Sequence, residues 1–362
     1  MPIKIHMDTL FKADGRATLI GSLPVSDHHD ALQLIFKYTG EVPLWPQLPS
    51  NPREGMLSQF VEGIPGIIEE TNRTYFNILT DSFEGEQLAF YEQYLAALES
   101  PEALMASPFQ VSRTRARGLY DLYEAAAGRA EIVALKGQIT GPFTMLTGIK
   151  DKEQRTSYYD PTIREMTVKA ISLKAGWQVL FLKGLGLPVL LFIDEPALAG
   201  LGSSAFISIS REDIGQDLEE VISAVQQAGG LAGIHVCANT DWDFVLSTTI
   251  DILSFDAYAF FDRLIVCREQ LYRFLERNGI IAWGIVPTSE PEYIEKESVE
   301  SLVARWEAQA DQLVNDTWDR GRLLRQTLIT PSCGTGSLSL ELATKVLELT
   351  SGVSRELRRK YG

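Results

Sequence analysis

The segment Leu231-Ala-Gly-Ile-His-Val-Cys-Ala-Asn-Thr240 decides how the rest of the sequence is interpreted. Hydrophobic and small residues lead into a histidine and a cysteine separated by one residue. Because side chains two residues apart on a β-strand point to the same side, His235 and Cys237 are predicted to project together. A second cysteine, Cys333, lies in the glycine-rich segment Thr330-Pro-Ser-Cys-Gly-Thr-Gly336. These three side chains are interpreted as a zinc site, held together by the fold of the remaining chain.

Short β-rich runs alternate with longer helical segments along the whole sequence. The predicted strands are 17–22, 42–47, 132–139, 188–194, 231–237, 250–256, 280–286 and 328–331. This alternation predicts an α/β fold, a (β/α)₈ TIM barrel. We expect one domain over residues 1–362. An insertion over roughly 51–129 is expected to add helices and loops at the C-terminal face of the barrel.

Polar residues follow the ends of the predicted strands. They are Ser22 at the end of the first strand, Asp194 and Glu195 at the end of the fourth, His235 and Cys237 at the fifth, Asp256 at the sixth and Cys333 at the eighth. Active sites of TIM barrels lie at the C-terminal ends of the strands. The predicted strands therefore gather these residues into one ring.

Composition excludes several classes of protein. The formal net charge of −15 argues against a nucleic-acid-binding protein, which needs a basic surface. No apolar run is long enough to span a bilayer, and the N-terminus lacks the apolar core of a signal peptide. Three cysteines in 362 residues do not make a disulfide framework. We therefore expect a cytoplasmic protein in which cysteine and histidine serve metal binding or catalysis.

A catalytic zinc ion takes thiolate and imidazole ligands and keeps one position open. His235, Cys237 and Cys333 would supply three ligands, and the fourth could be Asp256, water or substrate. Such a site would bind a substrate thiol as a thiolate. A lone His-x-Cys is also common among packed core residues, so the pattern by itself leaves both interpretations open.

Several motifs resemble the C-terminal barrel of cobalamin-independent methionine synthase and, more distantly, uroporphyrinogen decarboxylase and the methylcobalamin:coenzyme M methyltransferases. The motifs are Thr18-Leu-Ile-Gly-Ser-Leu-Pro24, Gly137-Gln-Ile-Thr-Gly-Pro-Phe-Thr144, Asp194-Glu-Pro-Ala-Leu198, His235-Val-Cys237 and Pro331-Ser-Cys-Gly334. They extend over nearly the whole chain and follow the order of that family.

The resemblance implies roles for individual residues. It implies zinc ligation by His235, Cys237 and Cys333, with Asp256 at the place of a family glutamate ligand. It also implies contacts to homocysteine, which would involve Ile20, Gly21, Ser22, Asp194 and either Glu84 or Glu86. In that family, Asp194 and the glutamate would hold the amino group of the substrate. For Asp194 and Glu195, capping of a helix N-terminus is the alternative.

Departures from the family concern the methyl donor. Gly148 stands near the place of a folate-stacking tryptophan, Gly200 replaces a folate-binding glutamate, and Gly284-Ile-Val-Pro-Thr288 replaces a motif with a proton-donating histidine. The combination resembles the short, core form of methionine synthase. It implies that homocysteine is methylated to methionine from methylcobalamin or a methylated corrinoid protein, without methyl-folate.

Three alternatives stay open at this point. The thiol acceptor could be coenzyme M or another small thiol, although the acids Asp194, Glu84 and Glu86 favour an acceptor with an ammonium group. A decarboxylase of the uroporphyrinogen type would need an N-terminal arginine cluster, and only Arg16 precedes Ile20. The third alternative is a zinc-containing barrel that binds a thiol or corrinoid partner without turnover.

Overall fold

A computed structural model describes residues 11–71, 73–202, 206 and 208–362 of the chain. Its strands are β1 (Arg16–Ala17), β2 (Ile67–Glu70), β3 (Arg73–Phe76), β4 (Leu135–Thr140), β5 (Val189–Asp194), β6 (Leu231–Val236), β7 (Ile252–Phe255), β8 (Ile280–Val286) and β9 (Thr327–Pro331). The first ten residues of the predicted 1–362 domain lie outside the described residues, and the single-domain organisation stays a prediction.

Helices separate most of these strands. They are α1 (His28–Thr39), α2 (Phe83–Ala97), α3 (Pro101–Met105), α4 (Arg117–Ala126), α5 (Pro142–Gly148), α6 (Pro161–Lys183), α7 (Arg211–Gln227), α8 (Trp242–Ser247), α9 (Ala257–Leu264), α10 (Arg268–Glu276), α11 (Pro291–Lys296), α12 (Val299–Ala310), α13 (Arg320–Arg325) and α14 (Leu340–Tyr361). Among the described residues, no helix combines the length and the apolar character needed to cross a lipid bilayer.

Seven strands form one curled parallel sheet in the order β1-β9-β8-β7-β6-β5-β4. The segment 42–47 lies between the two outer strands and is joined to both sides. The amide of Gln47 donates to the carbonyl of Gly21 at 3.1 Å, and the amide of Lys136 donates to the carbonyl of Pro43 at 2.9 Å. The predicted TIM-barrel-like α/β fold is confirmed.

Two of the eight predicted strands are not formed as continuous strands. Only Ala17 of the predicted strand 17–22 lies in a strand, and the segment 42–47 makes isolated bridges instead of a continuous ladder. Proline lacks the N–H group that a ladder needs, and this segment contains Pro43 and Pro46. The hydrophobic residues Val42, Leu44 and Trp45 of this segment are nevertheless fully buried, as expected for a segment that lines a barrel.

Side chains alternate between the inside of the sheet and its helix-covered outer surface. A compact apolar cluster fills one end of the interior and includes Leu190, Phe192, Ile252, Ala282 and Leu328. On the outside, 15 of the 23 residues of α6 are buried. Asp160 caps its N-terminus by accepting from the amides of Thr162 and Ile163. The polar residues at the strand ends therefore stand above a closed apolar base.

The predicted insertion over 51–129 contains α2, α3, α4 and an antiparallel hairpin of β2 and β3. The hairpin was not predicted, although β-branched and aromatic residues are frequent in Ile67–Glu70 and Arg73–Phe76. The beginning of the insertion contacts the ends of the barrel strands. Thr140 Oγ1 donates to the carbonyl of Met56 at 2.6 Å, and Gln47 Nε2 donates to Gln59 Oε1 at 2.6 Å.

We predict that Gly118→Ala destabilises the closure of the barrel. An alanine Cβ at this position of α4 would lie 2.3 Å from the carbonyl oxygen of Pro46. Overpacking of this kind lowers the free energy of unfolding by about 1–3 kcal/mol. Gly85→Ala is the matched control, because that helical glycine has no heavy atom within 4 Å of the added Cβ. Urea unfolding midpoints should fall for the first variant only, and equal midpoints would contradict the close approach.

A second prediction concerns Lys174, which is fully buried on α6. Burial lowers the pKa of its ammonium group to about 8, from 10.5. The unfolded chain therefore binds more protons between these two values, and stability should rise with pH across that window. Lys174→Met should raise the free energy of unfolding at pH 7 by on the order of 3 kcal/mol. The gain should disappear above pH 10.5, and a gain of constant size at all pH values would refute this account.

Candidate metal centre

The C-terminal ends of β6 and β9 bring three potential metal ligands together. His235 is the penultimate residue of β6, Cys237 follows that strand directly, and Cys333 lies two residues beyond β9. One ligand atom from each of the three side chains lies within 4.8 Å of the other two. Among the described residues, this is the group of histidine, cysteine and acidic side chains that could hold a metal ion.

The orientation of the His235 ring fits a metal ligand. Its Nδ1 lies 2.9 Å from Ser254 Oγ, on the neighbouring strand β7. Its Nε2 is buried and has no hydrogen-bond partner in the part of the chain that the structure describes. A buried polar atom without a partner costs free energy, so this nitrogen is suited to binding a ligand that the protein chain does not provide. Metal-binding histidines are typically oriented through their second ring nitrogen in this way.

The two cysteines influence each other because they are close. The Cys333 thiol and the His235 ring lower the pKa of the Cys237 thiol to about 4. The hydrogen bond to Cys237, burial and the charge on Cys237 raise the pKa of Cys333. These effects favour a thiolate at Cys237, and an added cation would favour the same state in Cys333. Two soft sulfur donors and one imidazole are a ligand set that zinc prefers.

Cys333 belongs to a loop that is fixed to the end of the first strand segment. The amide of Thr335 donates to the carbonyl of Ser22 at 3.0 Å, and the amide of Gly336 donates to Ser22 Oγ at 3.2 Å. A Cβ on Gly334 would lie 2.2 Å from Ser22 Oγ, so this approach requires a glycine. The predicted substrate residue Ser22 thus positions the cysteine loop.

The other two residues of the predicted Ile20-Gly21-Ser22 turn are also held from the protein side. The carbonyl of Ile20 accepts a hydrogen bond from the ammonium group of Lys136, and the carbonyl of Gly21 accepts from Gln47. Sequence reasoning missed Lys136. A lysine within a predicted strand of the barrel was the available signal, because a buried cation needs a partner or a function.

Asp194 and Glu195 are adjacent in sequence and have different surroundings. Asp194 is 7% exposed, and its Oδ1 has no hydrogen-bond partner among the described residues. Burial raises the pKa of its carboxyl group to about 6. Its backbone pairs in register with His235, so the acid lies beside the candidate ligands. This is the place where the resemblance puts the amino group of the acceptor.

Glu195 instead caps α5. Its carboxylate accepts hydrogen bonds from the amides of Phe143 and Thr144 at 3.0 and 2.9 Å and from Thr144 Oγ1 at 2.6 Å. A Cβ on Gly141 would lie 2.1 Å from this carboxylate, so the Gly-Pro sequence before the helix leaves room for it. Glu195 is therefore a helix cap, as in the alternative stated above for this pair. The helix that it caps, α5, follows β4, whereas Glu195 follows β5.

Asp256, the predicted fourth zinc ligand, caps α9. Its Oδ1 accepts from the amide of Ala259 at 2.9 Å. The carboxylate is not a member of the group of three side chains that lie within 4.8 Å of one another. Burial raises the pKa of Asp256 to about 6. Its proximity to the metal centre is consistent with an electrostatic contribution, whereas direct ligation stays a prediction.

Glu84 and Glu86 lie in the first turn of α2 and are exposed. Glu86 accepts hydrogen bonds from the amide of Gly66 at 3.0 Å and from Ser82 Oγ at 2.7 Å, which connects the hairpin to α2. Neither acid has a hydrogen bond to Asp194 or to the three candidate ligands among the described residues. A contact between either acid and the acceptor remains a prediction.

Two of the glycines at which the sequence departs from the resemblance are closely packed. A Cβ on Gly148 would lie 2.7 Å from Leu57 Cδ1, and a Cβ on Gly284 would lie 2.3 Å from the carbonyl oxygen of Phe255. A large side chain at either position would therefore require its surroundings to move. Leu57 and the backbone of Phe255 fill the space next to these two glycines.

Comparison with known proteins gives one finding at the level of the fold. No protein-family model matches the chain, and no curated protein matches it by sequence. Among solved structures it is similar to a B12-independent methionine synthase from Shewanella sp. W3-18-1 in complex with selenomethionine. The TM-score is 0.57 at 14% sequence identity, over 95% of this chain and 98% of that chain. The described chain thus shares the barrel fold of that structure.

Proposed function

We propose that this protein is a zinc-dependent methyltransferase that methylates the thiol of homocysteine to give methionine. The observation that supports the proposal most directly is the convergence of a ring nitrogen of His235 and the thiols of Cys237 and Cys333 within 4.8 Å. Three ligands are fewer than the four of a typical structural zinc site, so a position would remain for a substrate. The methionine-synthase-like fold agrees with this reaction class.

Zinc bound by these three side chains would supply the Lewis acidity that allows a substrate thiol to react as a thiolate near neutral pH. The chain contributes orientation. Ser254 holds His235 through Nδ1, and Ser22 holds the loop of Cys333. Both contacts come from residues inside the barrel rim, so the ligand atoms need little rearrangement to bind an ion.

Groups suited to an amino-acid acceptor lie beside the candidate metal ligands. The unpartnered Oδ1 of Asp194 is a buried acceptor for an ammonium group. The amides of Gly21 and Ser22 donate no hydrogen bond within the described residues, which leaves them for a carboxylate. A sulfonate such as that of coenzyme M would be repelled by Asp194. These features favour homocysteine over coenzyme M as the thiol.

For the methyl donor we propose methylcobalamin or a methylated corrinoid protein. The thiolate sulfur of the acceptor would attack the methyl carbon, a sulfur–carbon bond would form, and the electrons of the methyl–cobalt bond would remain on the corrinoid. This step needs no general acid, in agreement with the absence of a histidine in Gly284-Ile-Val-Pro-Thr288. The similar solved structure is of a B12-independent enzyme, and its 14% identity leaves the donor of this protein to experiment.

The first test measures zinc content and methionine formation for the wild type, Cys333→Ala and Cys267→Ala. We expect near-stoichiometric zinc and turnover in the wild type, with both lost in Cys333→Ala, because one of three ligands is removed. Cys267 lies at the junction of α9 and α10, outside the candidate centre, so its variant is the matched control and should keep both.

Different results would point to different errors. Methylation from methyl-folate as efficient as from methylcobalamin would refute the proposed donor and keep the reaction. Zinc with turnover of coenzyme M only would refute the acceptor. Tightly bound zinc whose coordination does not change when a thiol is added would favour a non-catalytic barrel. Purified protein without affinity for zinc would refute the central proposal.

We further predict that Ser254→Ala weakens zinc binding without removing a ligand. Loss of the contact to His235 Nδ1 should lower zinc affinity by about 10- to 100-fold, the usual effect of removing a residue that orients a metal ligand. Competition with a chromophoric chelator measures this change. Ser247→Ala, at the end of α8, removes a hydroxyl whose one hydrogen bond among the described residues is to the carbonyl of Phe244, and it should leave the affinity unchanged. Equal affinities of all three proteins would exclude an orienting role for Ser254.

A further inference from the structure

Lys136 is a buried cation inside the barrel that the proposed chemistry does not yet use. Its side chain is 0% exposed, and it forms no salt bridge among the described residues. The ammonium group donates to the carbonyl of Ile20, lies 3.4 Å from Gln138 Oε1 and lies 4.4 Å from the centre of the Phe192 ring.

A lysine at this position is unfavourable for stability alone. Burial of an ammonium group without a paired carboxylate costs several kcal/mol, and an apolar side chain of similar volume would avoid the cost. Burial lowers the pKa of Lys136 to about 8, while Asp194 acts in the opposite direction. The group thus keeps its charge at neutral pH under the influence of Asp194.

The contact with Ile20 fixes the orientation of one peptide group. In a trans peptide the carbonyl and the following N–H point in opposite directions. Because the Ile20 carbonyl is directed toward the ammonium group of Lys136, the Gly21 N–H points away from it. That N–H and the one of Ser22 donate no hydrogen bond among the described residues.

Lys136 and Asp194 extend from neighbouring strands on the same side of the sheet. In the parallel pairing of β4 and β5, Lys136 is opposite Leu190 and Thr140 is opposite Asp194. Residues separated by an even number of positions share a face, which places Lys136, Phe192 and Asp194 on the same side. The cation over the Phe192 ring is therefore one layer nearer to the apolar base than the unpartnered carboxylate.

We propose that Lys136 is a positioning residue for the amino-acid part of the acceptor. It holds the Ile20-Gly21-Ser22 turn with its amides available to a carboxylate, and its charge balances the buried Asp194 that receives an ammonium group. This inference rests on the proposed function, since it assumes an acceptor with both groups. It assigns the positioning of the groups that recognise the amino acid to a residue one layer beneath the metal centre.

The test compares Lys136→Met with Lys174→Met by titration calorimetry. Lys174 is the matched control, because it is also a fully buried lysine but lies on α6. The ligand is methionine, which carries the ammonium and carboxylate groups and has no thiol. We expect the dissociation constant for methionine to rise about 10- to 100-fold in Lys136→Met, because the turn amides would no longer be held in place for hydrogen bonds to the ligand carboxylate. It should stay unchanged in Lys174→Met.

Turnover provides a second measurement that a structural defect alone would not reproduce. In Lys136→Met the KM for homocysteine should rise by a similar factor, whereas the KM for 2-mercaptoethanol, which lacks both charged groups, and the zinc content should not change. Lys136→Gln keeps a donor near Ile20 without the charge, so its effect should be intermediate. This variant also serves if the methionine variant does not fold, as judged by circular dichroism.

The outcomes distinguish this inference from the proposed function. Wild-type protein that binds neither methionine nor homocysteine would refute both. Wild-type binding with an unchanged dissociation constant in the Lys136 variants would overturn the role of Lys136 and leave the proposed function intact. Equal losses of affinity in the Lys136 and Lys174 variants would also overturn it, because a general effect of removing a buried lysine would then be sufficient.

Discussion

The register of three parallel strands is the constraint on which the candidate site depends. Asp194 on β5 is paired with His235 on β6, and His235 is paired with Ser254 on β7. The pairing places a carboxylate, an imidazole and a hydroxyl side by side on one face. A shift of one residue in any of the three strands would turn that strand's polar side chain toward the helices. The apolar residues that pack against the helices, such as Ile234 and Val236, therefore fix the site as well as the core.

This arrangement separates stability from chemistry along the axis of the barrel. At the apolar end, residues such as Phe192 and Ile252 fill the interior. At the other end, the buried Oδ1 of Asp194 and Nε2 of His235 have no hydrogen-bond partner among the described residues. Unpartnered buried polar atoms lower the stability of a fold, and they are tolerated where a ligand completes them. The apolar layers and the long buried helix α6 supply the stability that such a site requires.

Much of this could be predicted from the sequence, because it follows from periodicity. Strand runs ending in polar residues predicted both the barrel and the convergence of His235, Cys237 and Cys333 on one rim, where the structure places them. Contacts that depend on three-dimensional packing could not be predicted. Nothing local in the sequence indicates that Glu195 caps a helix from another strand, or that Ser22 holds the Cys333 loop. The hydrogen bond from Lys136 to the distant Ile20 carbonyl likewise has no signal in the local sequence.

The two halves of the proposed reaction therefore differ in how far the fold determines them. The acceptor half is built from strand ends, whose positions the barrel fixes. The proposed donor would reach the same rim past the loops and the insertion over 51–129, where Leu57 packs against Gly148 and the Met56 carbonyl contacts Thr140. These segments are the parts of a barrel that vary most freely without a change of fold. The barrel fold shared with a B12-independent enzyme is thus compatible with the different methyl donor proposed for this protein, because the common architecture does not constrain these segments.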